Sequence, residues 1–377
     1  MIYFDHAASS YPKPPEVVQA VSEALTDYGA NPGRGNYALA EKAANVINET
    51  RQELAHFFGL SNPNRVIFFQ NATMALNQAI LGFPFQKRDH VITTTFEHNS
   101  VRRPLEACVL EKGIDVTYIR IRDGEFHEEK WSEALRDNTK LITVTHASNV
   151  TGELMPLDAI SQFAKQHNIP LLVDASQTAG VLSINMEKMG IDLLAFPGHK
   201  SLLGPQGIGV LLIGEEVELN PLVYGGTGAH SESRNQPEAL PYKFESGTVN
   251  TPGIAGLLAG LRVVKERTLE AIRKHEIELA NECFHQLNMI DGIDVYGKAD
   301  VGVVAFSIKG VDSHEIAMIL DQHYQIAVRA GLHCAPLAHE QLETLNTGLI
   351  RVSFGFTNTK EEVDTFIDAI KEINQYY

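Results

Sequence analysis

The fold of this chain is decided by the stretch Pro170-Leu171-Leu172-Val173-Asp174-Ala175-Ser176-Gln177 and by the run Ile191-Asp192-Leu193-Leu194-Ala195-Phe196 that follows it. Each is a short apolar segment bounded by polar residues, which is typical of a buried strand. Similar segments recur at residues 65–69, 90–94, 140–144 and 208–213, and most of them are separated by helical stretches. Apolar strands that alternate with helices predict an α/β fold with a mostly parallel sheet covered by helices on both faces.

The pattern changes past about residue 255. We predict one long helix over residues 254–287, then a strand over 303–308 and an α+β tail. The chain then divides into an N-terminal segment (1–20) that packs on the small domain, a large α/β domain (21–255) and a smaller C-terminal α+β domain (256–377). Further predictions are a helix that starts after Pro14-Pro15 and is capped at Gly29, a helix over 38–58, and a long surface loop over 225–242.

The composition excludes several function classes. Lys and Arg total 31 against 47 Asp and Glu, so the formal net charge of the 377 residues is −16. Such an acidic protein lacks the cationic surface that binds nucleic acid, and anionic membranes repel it. The three cysteines Cys108, Cys283 and Cys334 form no Cys-x-x-Cys pair, which argues for a reducing compartment. Without a signal peptide or a long apolar run, we expect a cytoplasmic protein.

The polar residues that follow the strands indicate a cofactor site. Ligands bind at the carboxyl ends of parallel strands, and pyridoxal phosphate needs a specific set of groups there. A helix start at Ala72 and Thr73 can hold the phosphate, Asp174 can pair with the pyridine nitrogen, and Lys200 can bond the aldehyde. His98 can cover the ring and Gln177 can bond its hydroxyl group, which completes the set.

Each of these residues also has an ordinary structural interpretation. Asp174 alone could cap a helix, Lys200 could be a solvated loop charge, and His98 could be a surface histidine. The joint pattern, in which Asp-x-x-Gln precedes Gly-His-Lys and each follows its own strand, favours the cofactor site. The competing nucleotide motifs are missing from the sequence, because the glycine-rich run at 204–209 leads into a strand rather than a helix.

The motifs resemble those of the class V aminotransferase family of fold-type I pyridoxal-phosphate enzymes, and within it the cysteine desulfurases. The resemblance rests on Tyr3-Phe4-Asp5-His6-Ala7-Ala8, Glu97-His98-Asn99, Ser148-Asn149-Val150-Thr151-Gly152, Asp174-Ala175-Ser176-Gln177, Gly198-His199-Lys200, Phe244-Glu245-Ser246-Gly247-Thr248 and Arg351-Val352-Ser353. It implies a large domain with a mostly parallel sheet of the seven-stranded type. It also implies a homodimer with shared active sites and an amino-acid substrate.

The segment Arg329-Ala330-Gly331-Leu332-His333-Cys334-Ala335-Pro336 is similar to the catalytic-cysteine loop of the shorter-loop desulfurases, a group that includes selenocysteine-lyase-like enzymes. By this resemblance Cys334 takes the sulfur of L-cysteine as a persulfide, alanine is released, and an acceptor protein collects the sulfur. His333 and Arg329 are expected to lower the pKa of the Cys334 thiol. A selenocysteine lyase, an aminotransferase or epimerase that does not use Cys334, and a non-catalytic binding protein remain alternatives. Cys334 could also be a packed free thiol or, with His333 and His339, a metal ligand, although we expect no metal.

The resemblance assigns roles residue by residue. The catalytic residues are Lys200, Cys334 and His98, and His98 stacks on the cofactor and shuttles protons. The cofactor-binding set is Ala72, Thr73, His98, Asn149, Asp174, Gln177, His199, Lys200 and Thr248, the last reaching the phosphate of the neighbouring subunit. The substrate-binding set is Asn149, Arg329 and Arg351, with Arg351 clamping the carboxylate.

Two departures from the family pattern concern the phosphate. Pro197 stands where a serine or threonine is usual, and Asn71-Ala72-Thr73 replaces a glycine followed by two threonines. We therefore expect the cofactor to be held more weakly, by about 1–2 kcal/mol, because one or two hydrogen bonds to a charged group are lost.

Overall fold

The computed structural model describes residues 1–33, 35, 37–121, 124–228 and 232–377. The strands are β1 (Ile2–Tyr3), β2 (Val66–Phe69), β3 (His90–Thr94), β4 (Asp115–Ile119), β5 (Thr139–Thr145), β6 (Leu171–Asp174), β7 (Leu193–Pro197), β8 (Gly209–Ile213), β9 (Ile293–Tyr296), β10 (Val303–Ile308), β11 (Ile326–Ala327), β12 (Arg329–Gly331) and β13 (Leu349–Ser353). The helices are α1 (Pro15–Thr26), α2 (Ala38–Phe57), α3 (Ala72–Leu81), α4 (Asn99–Lys112), α5 (Glu128–Ala134), α6 (Leu157–Gln166), α7 (Thr251–Arg267), α8 (Leu269–Asn288), α9 (Ser313–Tyr324), α10 (Pro336–Gln341) and α11 (Lys360–Asn374).

The large sheet has the strand order β2-β8-β7-β6-β5-β3-β4. The strands from β4 to β7 pair in parallel, whereas β8 pairs antiparallel with both β7 and β2. Successive side chains of β6 enter different cores, because Leu171 and Val173 pack on one face of the sheet and Leu172 packs on the other. The predicted mostly parallel sheet with two covered faces is confirmed.

The C-terminal part of the chain forms a second, antiparallel sheet of order β12-β13-β10-β9. Its core surrounds Phe306 of β10, which packs with Cys283 of α8, Ile316 of α9 and Phe366 of α11. The N-terminal strand β1 pairs in parallel with β11, and Phe4 is buried in the same core. Residues from both ends of the chain therefore build one layer. The predicted domain boundaries at residues 20 and 255 stay predictions.

The long helix predicted over 254–287 is wrong. The chain forms two helices, α7 and α8, and the break lies at Thr268, which has a left-handed φ of +65°. The Thr268 hydroxyl accepts a hydrogen bond from the Ala271 N–H and so caps α8. The apolar period continues across the break, so the pattern alone could not show it.

Smaller predictions also have outcomes, and one strand was missed. Helix α1 ends at Thr26 with Asp27 as its cap, so the predicted cap at Gly29 is wrong. Strand β4 was not predicted, since it is an edge strand with mixed burial. Cys108 and Cys283 are buried in helices α4 and α8. Of the predicted loop 225–242, residues 229–231 lie outside the described part of the chain. None of the described helices combines the length and apolarity that membrane spanning requires.

Candidate active site

A cavity of about 190 Å³ lies at the carboxyl ends of β5, β6 and β7, beside the first turns of α3 and α4. It is lined by residues of these five elements and their following loops, including Ala72, Thr73, His98, Asn149, Asp174, Gln177, His199 and Lys200. The structure thus brings together the residues that the sequence assigned to the cofactor, except Thr248. Parallel strands end at one edge of the sheet, which is why residues far apart in sequence meet here.

Asp174 is the last residue of β6 and is almost fully buried. One of its carboxylate oxygens, Oδ1, accepts hydrogen bonds from the backbone N–H of Ser176, at 2.9 Å, and from the Ser176 hydroxyl. Gln177 donates from Nε2 to the carbonyl oxygen of Ala7 at 3.2 Å. These contacts fix the orientation of the carboxylate and tie the N-terminal segment to the cavity.

His98 caps α4 and is held in one tautomer. Its Nδ1 accepts a hydrogen bond from the Ser100 N–H at 3.0 Å, so the proton of the neutral ring lies on Nε2. Burial lowers the pKa of His98 to about 4, and the Asp174 carboxylate opposes this shift. The ring is therefore neutral near pH 7 and presents an N–H donor at Nε2.

The first turn of α3 forms one end of the cavity. The first N–H groups of a helix have no intrahelical partner, so those of Ala72 and Thr73 can bind an anion. The Thr73 hydroxyl lies 2.8 Å from the Ser100 hydroxyl and links α3 to α4. Gly209 of β8 packs against the backbone of Asn71, where any larger residue would clash, and this contact sets the position of the turn.

Lys200 follows β7 and lines the same cavity. Desolvation lowers the pKa of its amine to about 8, and the negative charge of Asp174 partly offsets this effect. The Lys200 carbonyl accepts a hydrogen bond from the Ser10 hydroxyl at 3.0 Å. A lysine amine with a lowered pKa is deprotonated often enough near neutral pH to act as a nucleophile or a base.

Arg351 of β13 is buried and pairs with Asp5. Its Nη2 lies 2.7 Å from Asp5 Oδ1, and Nη1 donates to the backbone carbonyl of Asn149 at 2.9 Å. The antiparallel register places Arg329 of β12 opposite Arg351, and Arg329 is exposed. Cross-strand partners share one face of a sheet, so two guanidinium groups lie on one face of this sheet.

The loop that carries Cys334 connects β12 to α10, and Cys334 is exposed. Its carbonyl oxygen accepts a hydrogen bond from the Asn99 N–H at 2.7 Å, directly after His98. The preceding carbonyl, of His333, accepts a hydrogen bond from Asn149 Nδ2 at 2.7 Å. Asn149 lines the cavity, and Asn99 lies between the lining residues His98 and Ser100, so the two bonds hold the cysteine loop at the cavity rim.

The expected effect of His333 and Arg329 on the Cys334 thiol stays a prediction, but the structure shows the state of the His333 ring. His333 is buried, and desolvation and the charge of Arg351 lower its own pKa to about 2. Its ring is therefore neutral and lies beside His339 rather than at the surface. Within the described residues, no three His, Cys, Asp or Glu side chains come together to hold a metal ion.

Thr248 does not line this cavity. It is exposed in the loop between β8 and α7 and borders a separate cleft of about 330 Å³, where it contacts Asn31. Its reach into a neighbouring subunit stays a prediction.

The cavity fits pyridoxal phosphate by two observations. His199 Nδ1 and Asn149 Oδ1 are buried at the cavity without a hydrogen-bond partner, one a potential donor and one an acceptor. Buried polar atoms without partners are costly, and a polar ligand would satisfy them. The helix N-terminus at Ala72, the carboxylate of Asp174 and the amine of Lys200 complete the set of groups for a phosphate, a ring nitrogen and an aldehyde.

Three residues at the site were missed by the sequence reasoning. Ser176 orients Asp174, Ser100 links His98 to Thr73, and Asp5 pairs with Arg351. Ser176 and Ser100 each stand two residues after the residue they support, a spacing typical of local side-chain turns that could have revealed them. Asp5 gave no such local signal.

The comparisons with known proteins agree along the whole chain. The family model for aminotransferase class-V matches residues 2–366. A probable cysteine desulfurase of Methanothermobacter thermautotrophicus is 35% identical over 380 residues, which cover 99% of this chain and 94% of that protein. The cysteine desulfurase of Haloferax volcanii is 30% identical, with 100% of this chain and 90% of that protein covered.

Solved structures give the same result. The apo structure of a cysteine desulfurase from Thermococcus onnurineus NA1 superimposes with a TM-score of 0.92 at 32% identity, covering 100% of this chain and 95% of that one. The cysteine desulfurase CsdA of Escherichia coli, in its S-sulfonic acid form, gives 0.91 at 26% identity, with 99% and 94% covered. These matches confirm the fold-type I prediction. The chain therefore belongs to the class-V aminotransferase family, and its sequence and fold are similar to those of members named cysteine desulfurase.

Proposed function

We propose that this protein is a pyridoxal-phosphate-dependent cysteine desulfurase, which converts L-cysteine to L-alanine and takes the sulfur onto Cys334. The observation that carries the proposal is the hydrogen bond from the Asn99 N–H to the Cys334 carbonyl. It holds an exposed thiol beside His98, at the rim of a cavity that contains Lys200 and Asp174. An aminotransferase has no use for a thiol at this place.

The cofactor would be held by groups already at the cavity. The turn at Ala72 and His199 would bind the phosphate, Asp174 the ring nitrogen, and Gln177 and Asn149 the ring hydroxyl. When bound, it supplies an electron sink for the bonds at the substrate Cα. Asp174, oriented by Ser176, is suited to pair with the ring nitrogen and so keep that sink protonated.

The substrate carboxylate would bind at Arg351 and Arg329, which lie opposite each other on adjacent strands. Arg351 already holds Asp5, so the substrate shares or displaces that contact. The amine of Lys200, with its lowered pKa, can remove a proton at Cα near neutral pH. His98 can donate the proton on its Nε2.

Sulfur transfer would use the Cys334 thiolate. Its Sγ attacks the substrate sulfur, an S–S bond forms as the Cβ–S bond breaks, and the electron pair of that bond stays with carbon. Protonation of the carbon then gives alanine and leaves a persulfide on Cys334. Because Cys334 is exposed, an acceptor protein can reach the persulfide.

We also propose that the protein is a homodimer. Asn71 and Thr73, at the phosphate end of the cavity, are exposed in the single chain, and Thr248 is exposed in a cleft of its own. A neighbouring subunit whose Thr248 met the α3 turn would cover both surfaces. It would also supply a hydroxyl in place of the one absent at Pro197.

The test is release of alanine and sulfide from L-cysteine, with a reductant present, by wild type and Cys334→Ser. A matched control is Cys108→Ala, which removes a buried thiol of α4 that lines no part of the cavity. We expect equal amounts of alanine and sulfide from wild type and the control, and none from Cys334→Ser, with all three proteins yellow. Equal activity of Cys334→Ser would exclude Cys334 as the sulfur acceptor. Activity with selenocysteine alone would favour a selenocysteine lyase instead.

A further inference from the structure

Three buried side chains form a polar string beneath the cysteine loop. His333 Nδ1 lies 3.5 Å from His339 Nε2, with the ring planes at 14° to each other. His339 Nδ1 in turn lies 2.8 Å from the Thr344 hydroxyl. All three residues are buried, His339 completely, and none of them lines the cavity that holds Lys200.

The string allows only one proton between the two rings. Desolvation lowers the pKa of both histidines, so both rings are neutral and each carries one N–H. Two facing nitrogens make a favourable contact only if one of them is protonated. The tautomers of the two rings are therefore linked, because a proton on one of the facing nitrogens leaves the other to accept. The Thr344 hydroxyl, which can donate or accept, bonds His339 Nδ1 in either arrangement.

The backbone above this string is unusual. His333 and Cys334 both have left-handed conformations, with φ of +49° and +56°, although neither is glycine. Such residues cost free energy and persist only where the surroundings hold them. The two carbonyl bonds from Asn149 and Asn99 hold the loop from the cavity side. From the other side, the contact between the His333 and His339 rings holds it.

We propose that His339 is a positioning residue for sulfur transfer: by holding the His333 ring, it fixes the left-handed pair His333 and Cys334 and so sets where the Cys334 thiol meets the substrate. The proposal rests on the proposed function, because it concerns the step at Cys334. His339 stands five residues beyond Cys334, on α10, and acts only through the loop. A buried histidine that merely packed would support stability alone.

The experiment compares His339→Leu, His339→Gln and Thr344→Val with wild type. Leu removes both ring nitrogens, whereas the Gln amide can donate to His333 Nδ1 from near the place of His339 Nε2. Val is nearly isosteric with Thr and removes only the hydroxyl that bonds His339 Nδ1. The matched control is His323→Leu, at an exposed histidine of α9. The measurements are kcat and KM for L-cysteine, the single-turnover rate of persulfide formation on Cys334, and the thermal midpoint.

We expect His339→Leu to lower kcat and the rate of persulfide formation roughly 10- to 100-fold, since a misplaced reacting atom costs about this much. KM should change by less than about threefold, because the groups that bind the substrate are untouched. His339→Gln should recover most of the lost activity. Thr344→Val should show a smaller fall in kcat than His339→Leu, and His323→Leu should match wild type. Wild-type kcat in His339→Leu, or no recovery in His339→Gln, would overturn the proposal.

Cys334→Ser, run in parallel, separates this inference from the proposed function. If Cys334→Ser is inactive while His339→Leu turns over normally, only the positioning role fails. If Cys334→Ser is fully active, the proposed function itself fails. A loss of activity in His339→Leu that only follows a lower thermal midpoint, with Gln and Leu alike, would reduce His339 to a packing residue.

Discussion

The pair of Arg351 and Asp5 leads to a prediction that joins stability to substrate binding. The Arg351 side chain is 3% exposed and that of Asp5 is 21% exposed, and their closest atoms are 2.7 Å apart. Burial lowers the pKa of Arg351, and the Asp5 carboxylate opposes this. Asp5→Asn removes the negative charge that neutralises a buried guanidinium, but keeps an oxygen that can accept a hydrogen bond.

The magnitude follows from these contacts. Leaving one partner of a fully buried pair uncompensated costs about 3–5 kcal/mol. Because Asp5 is partly exposed and the Asn oxygen still accepts, we expect a smaller loss of about 2 kcal/mol in the free energy of unfolding. For a chain of this size, that corresponds to a fall of roughly 2–3 °C in the thermal midpoint. Arg351 also keeps its bond to the Asn149 carbonyl, which limits the loss.

Ligands that carry a carboxylate should have the opposite effect. In wild type the substrate carboxylate competes with Asp5 for Arg351, and in Asp5→Asn it does not. We therefore expect L-alanine, the proposed product, to raise the thermal midpoint of Asp5→Asn by more than that of wild type, and KM for L-cysteine to fall.

The assay is thermal unfolding with and without L-alanine, together with KM. The control is Asp115→Asn, which breaks an exposed pair with Arg136 at 3.1 Å. An exposed pair of this kind contributes less than about 1 kcal/mol. If Asp5→Asn is as stable as Asp115→Asn, or if its KM rises, Arg351 does not bind the carboxylate in competition with Asp5.

Three further predictions concern single side chains. Ser176→Ala removes the hydrogen bond from the Ser176 hydroxyl to Asp174 and should weaken cofactor binding about tenfold. An absorbance titration of the apo protein with the cofactor measures this affinity, and an affinity equal to that of wild type would contradict the prediction. Glu97→Gln should flatten the pH dependence of the urea midpoint between pH 5 and 8. Burial raises the pKa of Glu97 to about 8, so the stability that it contributes is full below the unfolded pKa and is lost as pH rises through 8. Burial lowers the pKa of His146 to about 4, so wild type should lose stability as pH falls from 6.5 to 4, and His146→Gln should lose less over that range.

Much of the fold could be predicted because its signals are local. Strands such as the one that ends at Asp174 are buried on both faces of the sheet, so their sequences are continuous apolar runs. Such a run can be recognised without knowing which strands are neighbours. Edge strand β4 was missed because its burial is mixed, so it lacks a continuous apolar run. The break at Thr268 was missed because one left-handed residue leaves the apolar pattern on both sides intact.

The residues of the site also differ in how well the sequence predicts them. Asp174, Lys200 and His98 could be identified from the sequence because each lies at the end of a strand or within four residues after it, and the ends of parallel strands meet at one edge of the sheet. The neutral state of the His333 ring could not be predicted, since it depends on burial, and burial is set by packing from residues elsewhere in the chain.

The sequence by itself therefore determined the class of fold, the alternation of buried strands and helices in the large domain, and the groups available for chemistry. Tertiary structure alone decided that β8 runs antiparallel between β7 and β2, and that Asp5 meets Arg351 across 346 residues. It also decided that His333 is buried against His339. The physical reason is that the spacing of apolar residues and the residue preferences of turns reflect interactions between residues close together in the sequence. Strand pairing, ion pairs and desolvation depend on which distant surfaces are packed together.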